Sequence, residues 1–268
     1  MTQSPILEVQ DLKTHFFTRT GVVKAVDGVS IHLNAGETLG IVGESGCGKS
    51  MTALSIMGLV PQPAGRIVGG RILLEGEDLL TKTPKEMQEI RGRKVCMILQ
   101  DPMTSLNPVY TVGEQVVETL RMRTGSRLGD LKERGIDLLN RVKISSAAER
   151  MGSFPHQMSG GMNQRVVGAI ALAGGPKVLI ADEATTSLDA TIQYQYLQLL
   201  RDLQADTGLS IIFITHDFGI VAHMCTRVAV MYAGKVVETA GVRDLFNNPA
   251  HPYTEALMRS VPNVEEDV

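Results

Sequence analysis

An α/β fold is predicted by three features of this 268-residue sequence. An apolar strand at residues 38–42 runs into a glycine-rich turn and then a helix at 51–59. Further short apolar runs at 94–99, 177–181 and 210–215 each stop at polar residues. That is the pattern of buried strands whose ends carry side chains for chemistry. Helical periodicity recurs between these runs, at 112–123, 128–142 and 190–206. The length suffices for one large α/β domain, or for a core with a smaller lobe.

The turn after the first of these strands is Gly43-Glu44-Ser45-Gly46-Cys47-Gly48-Lys49-Ser50, which reads G-x-x-x-x-G-K-S, a phosphate-binding loop. Its glycines let the backbone curl until several N–H groups point inward. The helix that follows aims its positive end at the same spot. Lys49 then reaches β- and γ-phosphates, and the Ser50 hydroxyl can ligand Mg2+. This loop predicts that the chain binds a nucleoside triphosphate.

Taken in order, residues 6–12 and 22–33 alternate apolar and polar side chains, which predicts an antiparallel edge or meander. His15-Phe16-Phe17 lies between them, in a chain with no Trp. One of these rings either stacks on a purine base or packs inward from a strand. Pro61-Gln62-Pro63-Ala64-Gly65 breaks the chain after the loop helix, and 66–74 returns to strand. The run 94–99 ends in Gln100-Asp101-Pro102. Gln100 either sits where open α/β sheets bind ligands or caps its strand. From Thr104 to Phe154 the texture becomes helical with charged outer faces, an insertion of about 50 residues that predicts a separate lobe.

Met158-Ser159-Gly160-Gly161-Met162-Asn163-Gln164-Arg165 then opens an apolar helix at 166–173. Ser159 fits an N-cap, and the glycines leave the helix start bare as a second anion site. The run 177–181 ends in Asp182-Glu183. Asp182 can hold Mg2+, usually through water, and Glu183 can polarise an attacking water; the alternative is a pair of solvated loop carboxylates. The strand 210–215 ends in His216-Asp217, where a neutral imidazole can contact a γ-phosphate. A hairpin over 227–239, a helix over 251–260 and a solvated tail Glu265-Glu266-Asp267 complete the reading.

Net charge is −3 with no Lys/Arg block, so nothing points to nucleic acid. Cys47, Cys96 and Cys225 stand far apart without metal-ligand spacing and suit free thiols in a reducing cytoplasm. No apolar run approaches the ~20 residues needed to span a bilayer, and no signal-peptide pattern opens the chain. Work at a membrane is therefore expected to be that of a peripheral subunit.

The ordered motifs together resemble the ATPase subunit of an ABC transporter. GESGCGKS resembles Walker A, Gln100 the Q-loop, MSGGM the signature motif and VLIADE Walker B. Ser187-Leu188-Asp189 resembles the D-loop, and His216 the switch histidine. The stretches Ala25-Val26-Asp27-Gly28-Val29-Ser30, Gly65-Arg66-Ile67-Val68-Gly69-Gly70, Gln100-Asp101-Pro102-Met103-Thr104-Ser105-Leu106-Asn107-Pro108 and Asn248-Pro249-Ala250-His251-Pro252-Tyr253-Thr254 are similar to dipeptide, oligopeptide and nickel importer ATPases. SGGM favours the "-D" member of that paired set. Three positions depart from the family pattern. Met158 stands for Leu or Phe, Asn163 for Arg after the signature, and Ala184 for the Pro that would fix φ after the glutamate. The chain also stops soon after Pro262, where many relatives continue into a cysteine-containing tail.

The resemblance implies a P-loop ABC ATPase fold with a parallel-sheet core. It implies an antiparallel β subdomain largely from 1–37 and 66–80, a helical subdomain at about 104–160 and a short C-terminal extension at about 241–268. It makes Phe16, with Phe17 as fallback, the adenine-stacking ring. It assigns catalysis to Glu183, His216 and Gln100, Mg2+ to Ser50, Gln100 and Asp182, and ATP to residues Gly43 to Ser50 and Met51. Ser159, Gly160, Gly161 and Asp189 would meet the nucleotide of a neighbouring subunit, so that ATP closes a dimer. The partners implied are a second, paralogous ATPase, two transmembrane permeases and, indirectly, an extracytoplasmic solute-binding protein, at the cytoplasmic face of the inner membrane. Two rival classes, a soluble ABC ATPase acting on ribosomes or DNA and a catalytically silent regulator, fit less well. The first would usually carry tandem units, a coiled coil or basic arms, and the second would lack Glu183 or His216.

Overall fold

A computed structural model describes residues 4–99, 105–124, 128–186 and 188–260. The chain divides into two compact units, Met1–Lys82 with Ser210–Val268, and Thr83–Leu209.

In the first unit, β1 (Leu7–Thr18) pairs antiparallel with β2 (Gly21–Leu33) on one edge. On the other it pairs with β4 (Gly65–Leu74), which continues into β5 (Glu77–Asp78). Leu7 and Val9 are buried, then Leu12 and Thr14. The phase changes at a register shift around Asp11, whose φ is 46°. One extra residue moves the inward face from odd to even positions. The strand therefore runs on through His15, Phe16 and Phe17, beyond the expected end at residue 12. Thr14 Oγ1 lies 2.8 Å from Ser55 Oγ and ties this sheet to α1 (Lys49–Ile56).

The same unit holds a second set of strands in the order β10-β9-β3-β8. These are β10 (Lys235–Gly241), β9 (Arg227–Tyr232), β3 (Thr38–Val42) and β8 (Ser210–Ile214). All residues of β3 and β8 are buried, as a strand covered on both faces requires. β3 runs parallel to both neighbours, with Ile41 opposite Ile214 on one side and Ala229 on the other. β9 and β10 form the expected hairpin. Its turn, Ala233-Gly234, has positive φ at both residues, the geometry that matches strand twist. The helices α8 (Phe218–Met224), α9 (Val242–Asn247) and α10 (Pro252–Arg259) complete the unit.

The second unit contains β6 (Val95–Ile98) parallel to β7 (Val178–Asp182), with Ile98 opposite Ala181. Its helices are α2 (Pro84–Ile90), α3 (Val112–Thr124), α4 (Leu128–Arg141), α5 (Ala147–Arg150), α6 (Gly160–Leu172) and α7 (Ala190–Thr207). Val116, Leu120, Leu131 and Leu139 of α3 and α4 are buried, so these helices own a core. Gly113 donates to the Met151 carbonyl at 2.9 Å. A Cβ on Gly113 would stand 2.5 Å from that oxygen, so only glycine permits the approach. The helix α6 starts at Gly160, six residues earlier than its apolar run suggests, because the low propensity of two glycines hides the first turn. Among the described residues no helix is long and apolar enough to cross a membrane.

Candidate functional site

The register of β3 and β8 brings two of the expected groups to one sheet edge. Thr215 N donates to the Ile41 carbonyl, so Gly43 and His216 emerge side by side. They line a cavity of about 430 Å3 together with Glu44, Asp217, Phe218, Leu257 and Ser260. Asp217 N-caps α8, accepting from Gly219 N at 2.7 Å and Ile220 N at 3.3 Å, which leaves the exposed His216 immediately before the cap.

The loop at 43–50 is wedged between backbones. A Cβ on Gly43 (φ 150°) would stand 2.2 Å from the Met231 carbonyl oxygen, and one on Gly48 (φ 108°) 2.3 Å from that of Ala25. Gly48 occupies the N-cap of α1 in left-handed conformation and has no side chain to satisfy the helix amides. The first turn of α1 thus has no side-chain cap, the arrangement in which a helix start takes an anion. Lys49 is buried, and its Nζ donates to the carbonyls of Gly43 at 2.8 Å and Glu44 at 2.9 Å. The ammonium is thus held across the mouth of its own loop. Burial raises the Cys47 thiol's pKa, against the opposing pull of the nearby Lys49 ammonium, so this sulfur stays a packed thiol. Ser50 is exposed in the first turn of α1, with the half-buried Met51 after it. None of Cys47, Cys96 and Cys225 is in a disulfide among the described residues.

Phe16 is half-buried in β1 beside Gly65, whose Cβ would stand 2.9 Å from the ring. Phe17 is 46% exposed, and the Arg66 guanidinium lies over its ring at 5.6 Å. The two adjacent rings therefore have different neighbours, a glycine beside Phe16 and a guanidinium over Phe17.

In the second unit, Ser159 does cap α6, accepting from Met162 N at 3.3 Å. Gly160 and Gly161 play different parts. A Cβ on Gly160 would meet nothing within 4 Å, whereas one on Gly161 would stand 2.5 Å from Ile192 Cγ2. The first keeps the helix start open; the second lets α6 approach α7. Asp182 is buried at the end of β7. Glu183 follows in the left-handed region (φ 48°), its carbonyl accepting from Thr186 N at 3.2 Å and Thr186 Oγ1 at 3.1 Å. A glutamate held there is locally strained, a condition that clusters at working sites. Asp189 N-caps α7 through Ile192 N at 3.0 Å. Gln100 and Ser187 lie outside the described residues.

Two groups escaped the reading of the sequence. Gln164, fully buried, donates from Nε2 to the Ala184 carbonyl at 2.6 Å and so ties α6 to the residue after Glu183. Tyr253 reaches the glycine-rich loop itself, with its Oη 3.1 Å from Glu44 N. Spacing of polar residues marks neither; the one available sign is a glutamine on the apolar face of a helix.

Residues 26–186 match the family described as ABC transporter, and 237–267 match the oligopeptide/dipeptide transporter C-terminal region. The oligopeptide transport ATP-binding protein OppD of Bacillus subtilis is 53% identical over 260 residues, covering 97% of this chain and 73% of that protein. AppD of the same organism is 51% identical over 265 residues, covering 99% and 81%. A probable peptide ABC transporter ATP-binding protein of Sinorhizobium fredii, y4tR, is 50% identical over 258 residues, covering 96% and 77%. Among solved structures, cbiO1 from Clostridium perfringens superposes with TM-score 0.78 at 27% identity, covering 92% of each chain. The dimeric cassette MJ0796 shares the fold with TM-score 0.77 at 24% identity, covering 88% of this chain and 99% of that one. With the glycine-rich loop, the capped glycine helix and the carboxylate-tipped strand each built as described, the chain belongs to the ABC transporter family, as one of its ATP-binding ATPase subunits.

Proposed function

We propose that this chain hydrolyses ATP to drive the import of di- or oligopeptides, or of a related small solute such as nickel. The observation that carries this reading is the join, in one chain, of a loop-anchored Lys49 to a C-terminal region of the oligopeptide/dipeptide type. In this reading the amides of 43–50 and Lys49 hold the phosphates, and Phe16, with Phe17 as the alternative, stacks on adenine. Ser50, Asp182 and Gln100 would hold Mg2+. The Ser50 hydroxyl and the Asp182 carboxylate are hard oxygen donors of the kind that ion takes. When bound, Mg2+ supplies charge neutralisation at the β- and γ-phosphate oxygens.

Glu183 orients and polarises the attacking water, and His216 contacts the γ-phosphate. Ser159, Gly160, Gly161 and Asp189 serve the nucleotide of the neighbouring subunit, a paralogue rather than a second copy. Two permeases and, through them, a solute-binding protein complete the assembly, with this chain peripheral on the cytoplasmic face of the inner membrane. Segments 1–37 and 66–80 form the antiparallel β subdomain, about 104–160 the helical one that meets the permeases, and about 241–268 the C-terminal extension.

The test separates binding from chemistry. Glu183→Gln should bind MgATP as the wild type does and hydrolyse it at least ~100-fold more slowly, the scale of a lost general base. Lys49→Ala should weaken binding itself. Hydrolysis by Glu183→Gln near the wild-type rate, measured as phosphate release, would refute the assignment of the base.

A further inference from the structure

The peptide unit between Gly43 and Glu44 is held at both ends. Its carbonyl oxygen, on Gly43, accepts from Lys49 Nζ at 2.8 Å, and its N–H, on Glu44, donates to Tyr253 Oη at 3.1 Å. A peptide plane rotates as one body. Whatever fixes the N–H therefore fixes the carbonyl that anchors the lysine. We infer that Tyr253 is a positioning residue for Lys49, and that the His251-Pro252-Tyr253-Thr254 segment makes the C-terminal region a structural part of the nucleotide site.

The segment is built to hold that hydroxyl still. Glu238 accepts from Ala250 N at 2.9 Å and His251 N at 3.0 Å, which fastens the start of α10 to strand β10. His251 Nδ1 accepts from Tyr253 N at 3.1 Å and caps the helix, and Thr254 is fully buried. The Tyr253 ring packs on Tyr232, with centroids 4.5 Å apart and planes tilted by 47°. Tyr232 follows Met231, whose carbonyl closes the other side of Gly43. Tyr253 and Leu257 also pack against the core around Val42, Val230 and Phe218. The loop start is thereby gripped between β9 and α10, with one hydroxyl setting the orientation of the critical peptide. Burial is the main cause of a raised Tyr253 pKa, so the hydroxyl is protonated at neutral pH.

The inference rests on the reading of 43–50 as the ATP loop, and the experiment keeps the two apart. In the 268-residue chain, Tyr253→Phe keeps the ring and its packing and removes only the hydroxyl. A fluorescent ATP analogue gives Kd, steady-state hydrolysis gives KM and kcat, and a thermal scan gives Tm. Loss of one uncharged hydrogen bond predicts a rise in Kd and KM of roughly fivefold, with kcat within about twofold and Tm within a few degrees. A purely structural tyrosine would instead lower the active fraction, and so kcat, while KM stayed put. Kd and KM unchanged in Tyr253→Phe, with Lys49→Ala still losing nucleotide, would overturn the role of Tyr253. Wild-type affinity in Lys49→Ala would instead overturn the reading of the loop.

Discussion

Gly43 shows how a single atom decides a site. A Cβ there meets a backbone carbonyl at 2.2 Å and the Cys47 sulfur at 2.8 Å, on a φ of 150°. Neither the Met231 strand nor the loop can step aside without breaking the β3–β9 register. Gly46 also has positive φ, at 81°, but its Cβ would meet nothing within 4 Å. The two alanine variants should therefore separate. Gly46→Ala costs the left-handed penalty alone, about 1 kcal/mol. Gly43→Ala adds overpacking of about 1–3 kcal/mol and displaces the carbonyl that holds Lys49. Thermal unfolding and nucleotide titration of the pair should show Gly43→Ala lower in midpoint and far weaker in binding. Equal behaviour would mean that the loop tolerates the shift. The pattern G-x-x-x-x-G-K-S announces that glycine is needed here, but not which glycine is confined by space and which only by conformation.

At the scale of elements, start signals explain both what the sequence disclosed and what it hid. In α3 the box is reciprocal: Glu114 Oε2 accepts from Thr111 N at 2.7 Å and Thr111 Oγ1 at 2.8 Å, while Thr111 Oγ1 accepts from Glu114 N at 3.2 Å. The same arrangement at Thr83 and Glu86 starts α2, a helix whose Thr-Pro-x-Glu signal was legible but too short in apolar period to stand out. Thr111→Ala should lower the unfolding midpoint of the second unit by about 2–4 °C at neutral pH. Hydrogen bonds from Thr111, backbone first and then side chain, hold the Glu114 carboxyl below its ordinary pKa. A depressed carboxylate stabilises above its unfolded pKa, about 4.3, and loses that contribution as pH falls through its folded value. The gap between wild type and Thr111→Ala should therefore be widest at neutral pH and narrow below about pH 4. A gap that stayed constant on acidification would remove Glu114 from the cap.

For the whole molecule, the proposed mechanism gives one chain two phosphate-binding helix starts, and in it they serve different nucleotides. Lys49 serves the chain's own ATP, and Ser159 that of its neighbour. Ser159→Arg places a bulky cation at an open helix start and should leave ATP affinity of the isolated chain nearly intact while abolishing hydrolysis. Lys49→Ala is equally inactive for the opposite reason. In the chain purified alone, where only other copies of itself are there to pair with, the two variants mixed in equal amounts should recover roughly a quarter of wild-type turnover, because half the random pairs carry one whole composite site of two. A mixture that stays dead, although each variant pairs with wild type, would exclude self-pairing through shared sites. Normal hydrolysis by Ser159→Arg alone would exclude shared sites altogether.

The sequence alone determined the α/β class, the order of the motifs and the candidate residues at 43–50, 159–161, 182–183 and 216. Each of these is local chemistry: a turn that needs glycine, a helix that needs a cap, a strand that ends in a carboxylate. Tertiary structure decided what local chemistry cannot encode. The phase change at Asp11 carries β1 on to Phe16 and Phe17 because a bulge preserves the buried face after the alternation has broken. Strand register brings His216 beside Gly43 across 173 residues of chain. Tyr253 meets Glu44 because α10 folds back onto β9 and β10, and a contact made by packing leaves no period or spacing in the chain from which it could be read.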